Sequence, residues 1–242
     1  YDSAEGIDVC GRINVRMTSA ELAQVFELFR EPVWTPRYNL GPMQPAIVIR
    51  QMPEGYRLAD IMQWGLVPSW AKDPKIGSQM FNARSETVAS KPAFRAAFRR
   101  RRCLIPATGF FEWQATDGKT KQPWNIFRAD GSPLALAGLW EHWESADGSL
   151  LESCTVITTT ANEFMAEIHD RMPIILAPEL WSLWLNPAEL EPEALQELLV
   201  PCPSEWLTRT RVSTLVNNVR NESPDCVVPV DAPRSCLLYT SP

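Results

Sequence analysis

Histidine is scarce in this chain of 242 residues: only His142 and His169 are present. None of the six cysteines forms a CxxC pair, so the ligand clusters of a zinc site are missing and no metal or other cofactor is expected. Clustered carboxylates and His pairs are also lacking, which argues against a metal-dependent nuclease. There is no internal repeat, no low-complexity linker and no apolar run approaching 18 residues, so no membrane contact is expected. Positive charge is in deficit. The net charge is −6, and any polyanion would have to be held by a local basic groove rather than by the overall field. The cysteines (Cys10, Cys103, Cys154, Cys202, Cys226 and Cys236) are irregularly spaced in a mid-sized chain. That spacing fits reduced thiols better than a disulfide scaffold. The start lacks a signal-peptide pattern, and a cytoplasmic location is expected.

What the chain does have is aromatic residues and turns: ten Trp and 21 Pro. These favour a sheet-rich body over a helical bundle. Period-two patterns predict strands at Ala46–Met52, Tyr56–Leu66, Cys103–Pro106, Gly109–Gln114, Pro123–Arg128, Leu134–Trp143, Glu152–Thr159 and Leu207–Val212. A turn at Asp117-Gly118 is expected to join two of them. Thr18 to Glu21 has the form of a capping box that opens a helix over Ala20–Arg30. Thr160 to Glu163 has the same form and is expected to open a helix running to His169. Ser90 and Pro92 open a short basic helix to Arg101, and helices are expected at Pro178–Leu185 and Pro192–Leu199. Strands and helices mix without βαβ regularity. The expected fold is therefore α+β: a curved mixed or antiparallel sheet, or an open barrel-like core, with flanking helices. One domain over residues 10–230 is expected, with an extension or cloning remnant at 1–9 and a tail at 231–242.

Several segments carry residues suited to chemistry. From Cys10 to Met17 the pattern alternates: Ile13, Val15 and Met17 point one way, and Cys10, Arg12, Asn14 and Arg16 the other. On that reading Cys10 lies on a polar, half-exposed face. In the segment Asn82-Ala83-Arg84-Ser85-Glu86-Thr87, residues Asn82, Arg84 and Glu86 share one face. An amide beside a guanidinium suits a sugar and its phosphate. Gly109-Phe110-Phe111-Glu112-Trp113 sets one carboxylate among aromatics, where desolvation raises its pKa toward neutrality. His169-Asp170-Arg171-Met172-Pro173 follows a helix, and the run Arg99 to Arg102 could supply local positive charge. Each segment alone has a plainer reading, as core, solvated loop or exposed helix face.

Taken in order, the segments resemble one family. Cys10-Gly11-Arg12, Arg37-Tyr38-Asn39 with Pro42, Trp64-Gly65-Leu66-Val67-Pro68-Ser69-Trp70, Asn82 to Thr87, Arg101 to Pro106, Gly109 to Trp113 and His169 to Pro173 are similar to the SRAP (SOS-response-associated peptidase) family over about Cys10 to Val230. The resemblance implies capture of abasic sites in single-stranded DNA by a cysteine exposed at the N-terminus. Amine and thiol of that residue close a thiazolidine with the sugar aldehyde. It assigns catalysis to Cys10, Asn82, Glu112 and His169. Arg84 and Arg171 would hold phosphates, and Arg12, Asn39, Trp70 and Trp113 would be further DNA contacts. It also implies autoproteolytic release of whatever precedes Cys10. The chain departs from the pattern at Val9, where the family has its initiator Met; a GTG start codon at that position is the expectation. A monomer is expected. The rival readings are a thiol peptidase acting on other proteins and a non-catalytic nucleic-acid-binding module.

Overall fold

The two longest strands, Leu134–Glu144 and Leu150–Thr160, form a hairpin around which the rest is organised. The computed structural model describes residues 10–116, 118, 120–188 and 190–231. In chain order the elements are β1 (Ile13–Val15), α1 (Ser19–Val25), β2 (Arg37–Leu40), β3 (Pro45–Gln51), β4 (Arg57–Trp64), β5 (Asn82–Arg84), α2 (Arg95–Arg100), β6 (Arg102–Ala107), β7 (Gly109–Ala115), β8 (Lys121–Arg128), β9 (Leu134–Glu144), β10 (Leu150–Thr160), α3 (Glu163–Ala166), β11 (Arg171–Pro173), α4 (Pro178–Leu185), α5 (Pro192–Gln196) and β12 (Leu207–Arg211). The expected extension at 1–9, residue Asp117 of the expected turn, and the tail beyond Asp231 lie outside the described residues.

The α+β expectation holds, and the barrel closes. Strands β10, β4, β3, β6 and β9 pair in sequence, and β9 pairs back onto β10, giving a five-stranded ring. Closure depends on a parallel step, Ser153↔Gln63 and Cys154↔Trp64. Beyond that step β10 changes neighbours. Val156 to Thr158 pairs with β5 on one side, and Thr158 to Thr160 pairs with β11 on the other. Ring closure leaves no free sheet edge to be covered, and the interior is filled by apolar residues such as Ile47, Ile49, Leu104, Leu136, Val156 and Ile157.

A second antiparallel sheet, in the order β12-β8-β7-β1-β2, packs against the ring. One face joins the main core through Ile13, Phe110 and Ile126. Phe111 on the other face packs with Val212 and Val216, and Trp113 lies against them. This sheet is therefore covered on both sides, and β1 does not have the exposed polar face expected from its alternation. Asn14 is fully buried and donates to Asn125 Oδ1 at 3.0 Å. Cys10 is buried as well.

Local chemistry fixes the ends of the elements. Thr18 and Glu21 make the expected capping box of α1, which stops at Val25. The second expected box is displaced: Asn162, not Thr160, caps α3 by accepting from the Met165 amide. Thr160 remains in β10 because its partner Arg171 continues the ladder. Between β4 and β5 a loop leaves the ring and returns at two glycines in van der Waals contact. A Cβ on Gly65, whose φ is +142°, would lie 2.5 Å from the Gly77 carbonyl oxygen. Side chains are excluded there, so the base of the loop is pinned.

Candidate active site

The candidate site begins at the turn into β1. Cys10 has a φ of 52°, in the left-handed region that L-residues with a Cβ seldom occupy. Its backbone nitrogen donates to Glu112 Oε1 at 2.5 Å. Strand β7 delivers Glu112 because β1 pairs with β7 in the register Ile13↔Phe110, with the Phe111 amide donating to the Arg12 carbonyl. Gly109 makes the approach possible, since a Cβ there would lie 2.7 Å from Asn125 Oδ1.

Glu112 is 3% exposed, on the face of β7 that also carries Phe110. Burial pushes its carboxyl up to about 8. The Cys10 and Trp113 amides oppose that shift, the charge of Asp170 adds to it, and Lys121 lowers it slightly. The carboxyl therefore exchanges protons in the neutral range, as a general acid and base requires. The Cys10 thiol is pushed well above its ordinary value, first by burial and then by Glu112, so it is held as the neutral thiol.

The segment after α3 lies beside Glu112. Gln114, two residues along the same face of β7, donates to the Glu167 carbonyl at 2.8 Å. His169 Nδ1 lies 2.7 Å from Asp170 Oδ1 and 3.2 Å from the Arg171 amide nitrogen. Nδ1 accepts from that amide, which leaves Nε2 as the donor of the ring. Asp170, to which the sequence reading gave no role, brings its charge beside both His169 and Glu112; the signal was the adjacency of carboxylate and imidazole in the motif.

Asn82 and Arg84 lie on β5, beside β10. Asn82 is half-buried and Arg84 exposed. On the other side of β10, Arg171 donates to both Glu86 carboxylate oxygens, at 2.7 and 3.1 Å, and to the Thr158 carbonyl at 2.8 Å. The ion pair therefore spans the end of β10 and ties the β5 side to the β11 side. Arg171 holds Glu86 below the usual carboxylate range.

The remaining expected contacts separate. Arg12, Asn39 and Trp113 form one cluster under residues 213–222. Arg12 donates to Asn39 Oδ1 at 2.9 Å, and its guanidinium lies 5.6 Å from the Trp113 ring centroid. Trp113 Nε1 donates to Asn217 Oδ1 at 2.7 Å. Asn39 is wholly buried, and its amide nitrogen donates to the carbonyls of Val216, Asn218 and Asn221. Its expected place as a direct DNA contact is corrected: every polar atom of its side chain is engaged inside the protein, and it anchors this segment. Glu222, also overlooked, accepts from the Tyr38 and Asn39 amides and pairs with Arg37. By contrast Trp70, on the loop between Gly65 and Gly77, is 58% exposed. The basic run also divides. Arg102 is buried and its guanidinium donates to the carbonyls of Phe98, Arg99, Trp184, Asn186 and Ala188, so it is part of the frame and not of a groove.

No group of three or more His, Cys, Asp or Glu is placed to hold a metal ion, and no helix is long and apolar enough to cross a membrane, among the described residues.

The chain is 42% identical over 220 residues to the abasic site processing protein YoaM of Bacillus subtilis, covering 90% of this chain and 96% of that one. It is 34% identical over 227 residues to the abasic site processing protein HMCES of Xenopus tropicalis, covering 81% of this chain and 67% of that one. A crystal structure of a protein from Bacteroides thetaiotaomicron superposes with a TM-score of 0.82 at 25% identity, over 91% of this chain and 99% of that one. The family model described as SOS response associated peptidase (SRAP) matches residues 9–219, and the chain belongs to that family.

Proposed function

We propose that this chain binds single-stranded DNA and captures abasic sites covalently through Cys10. The observation that carries the reading is the 2.5 Å contact from the Cys10 nitrogen to a carboxyl held at about 8. In the intact chain that nitrogen is an amide. Cleavage of the Val9–Cys10 bond turns the same atom into a primary amine whose ordinary pKa lies near neutrality.

The amine adds to the opened-sugar aldehyde to give a carbinolamine. Protonated Glu112 gives its proton to the departing hydroxyl, which leaves as water, and a protonated imine remains. The Cys10 sulfur then bonds to the imine carbon, the nitrogen keeps its proton, and the thiol proton returns to the Glu112 carboxylate. Amine, thiol and aldehyde thus yield a thiazolidine and one water. Both nucleophiles sit on one residue, so ring closure is intramolecular and does not require a standing thiolate. Asn82 orients Cys10 and the sugar, and His169 Nε2 assists proton transfer at the sugar hydroxyl. Arg84 and Arg171 hold flanking phosphates, with Arg171 exchanging Glu86 for the DNA. Arg12 and Trp113 shape the cleft, and Trp70 offers a ring on which a base can stack. The names of the relatives support the choice of substrate.

The test is incubation of chain beginning at Cys10 with single-stranded DNA carrying an abasic site, followed by a denaturing gel. A shifted band that Cys10→Ala does not form is the expected result. Equal bands from both proteins would overturn the reading.

A second reaction at the same corner, release of the residues before Cys10, is favoured by the φ of 52°. A peptide strained there stores free energy of order 1 kcal/mol, and cutting the bond releases it. Intact mass after expression with Met preceding Cys10 is expected to show Cys10 as the first residue. Retention of that Met would count against this reading.

A further inference from the structure

Helix α2 and the segment before it concentrate positive charge. Residues 84–102 hold seven of the chain's 23 Lys and Arg and one of its 29 Asp and Glu. Arg102 and Arg101 have structural duties, the first in the frame already described and the second paired with Glu141 at 2.6 Å. Arg95, by contrast, stands at the first position of α2, where the helix dipole disfavours a cation. No acidic residue lies in the first turn, and no side chain caps the helix. Arg99 follows Arg95 at i+4, a like-charge spacing that weakens a helix. Both are exposed, as are Arg100 and Lys91. Together with Ala89 and Ala96, whose small side chains open the surface, Arg95, Arg99, Arg100 and Arg101 line a recess of about 400 Å³.

The recess follows Asn82 and Arg84 closely along the chain. The Val88 amide donates to the Arg84 carbonyl, and the Lys91 amide to the Thr87 carbonyl. One compact turn therefore leads from Arg84, beside Asn82, to Ala89 at the edge of the recess. Arg84, Lys91, Arg95 and Arg99 then follow one another along exposed positions, and Arg95 and Arg99 are about 6 Å apart along the helix axis. Guanidinium forks at such intervals suit phosphate oxygens.

We infer that the α2 recess is a second anchoring site for DNA, which grips phosphates of the same strand beyond the nucleotides held at the reactive centre. The inference rests on the proposed single-stranded DNA binding. It assigns a role to arginines that the capture chemistry leaves unused.

Noncovalent binding of the full chain to unmodified single-stranded oligonucleotides of about 5 and about 15 nucleotides, followed by fluorescence anisotropy over a range of salt, tests it. In the unsubstituted protein the longer strand should bind more tightly and with the steeper salt dependence. In the double variant Arg95→Gln/Arg99→Gln the advantage of length should shrink at least fivefold, and the log–log salt slope for the longer strand should fall by about 1.4, that is about 0.7 per lost phosphate contact. Binding of the short strand, and crosslinking of a short abasic strand, should be unchanged. A length advantage that survives in this variant and in Arg95→Glu/Arg99→Glu overturns the inference. So does the case in which both variants lose only the binding of a polyglutamate probe, which would make the recess a site for acidic protein. If the unsubstituted protein bound neither strand, the reading of single-stranded DNA binding would itself fail, and the inference with it.

Discussion

Of the regions that bury an ionisable side chain, two treat it in opposite ways. Where α2, β6 and α4 meet, the Arg102 guanidinium is surrounded by five backbone carbonyls. Burial lowers its pKa only to about 10, so it keeps its charge throughout the physiological range. Where β7 passes Cys10, the Glu112 carboxyl meets two backbone amides and the repulsive charge of Asp170. Two donors do not offset the loss of water around a carboxylate, and its pKa rises to about 8. A saturated buried charge joins elements together; an under-solvated one can take up and release a proton. Both sites are equally hidden, so burial alone does not separate frame from chemistry.

The comparison breaks most sharply at Glu112. Replacement by Gln is expected to slow crosslink formation on abasic DNA by about 10²- to 10⁴-fold, the usual range for loss of a general acid and base. Quenched time courses on denaturing gels would measure it, and a rate within threefold of the unsubstituted protein would remove Glu112 from the mechanism. Folding stability should respond with its own pH signature. The folded pKa, about 8, lies above the unfolded value near 4.5. The contribution of this group is therefore fully present below about pH 4.5 and is lost as pH rises through about 8, a loss of order 5 kcal/mol. Urea titrations at pH 5 and pH 8 should show that loss in the intact chain and a much smaller one in Glu112→Gln.

At Arg102 the expected effect is on the fold. Arg102→Ala strands several carbonyls and opens a cavity, costing about 3 kcal/mol and lowering Tm by roughly 6–12 °C. Crosslinking per folded molecule should be unaffected. Asn39 sharpens the contrast because it is saturated yet adjoins the site: Asn39→Ala should cost about 1–3 kcal/mol in a denaturant melt and loosen residues 216–222. The smallest stability effect belongs to Trp70→Ala, within about 0.5 kcal/mol because the ring is exposed. Single-strand affinity should nevertheless fall by about 1–3 kcal/mol if a base stacks there. No change in affinity would remove Trp70 from the interface.

Much of this was legible in the residues. Helix α4 begins at Pro178 and ends at Leu185 as its pattern indicates, and the strands of the ring lie within a few residues of their alternating runs. Ring closure was not legible, because the parallel step of β10 onto β4 joins segments about 90 residues apart. The polar alternation of β1 misled because period two reports two faces and not whether the second is covered; here residues 213–228 cover it. Arg102 and Arg99 are indistinguishable in a basic run, and only the fold turns one inward. The sequence motifs grouped Cys10 with Glu112 by resemblance alone. The amide contact joining them depends on the register of β1 against β7, which is set by tertiary pairing across about 100 residues.

The pinned base of the loop between Gly65 and Gly77 has an engineering consequence. Because two backbones meet there without side chains, the segment carrying Trp70 is attached to the barrel as if by a clasp; Leu66 and Val67 at its start are buried, and the stretch beyond Pro68 is largely exposed. Exchanging the stretch between residues 69 and 76 for longer or shorter versions is a route to reshaping the surface around Trp70, while leaving the cysteine corner as it is.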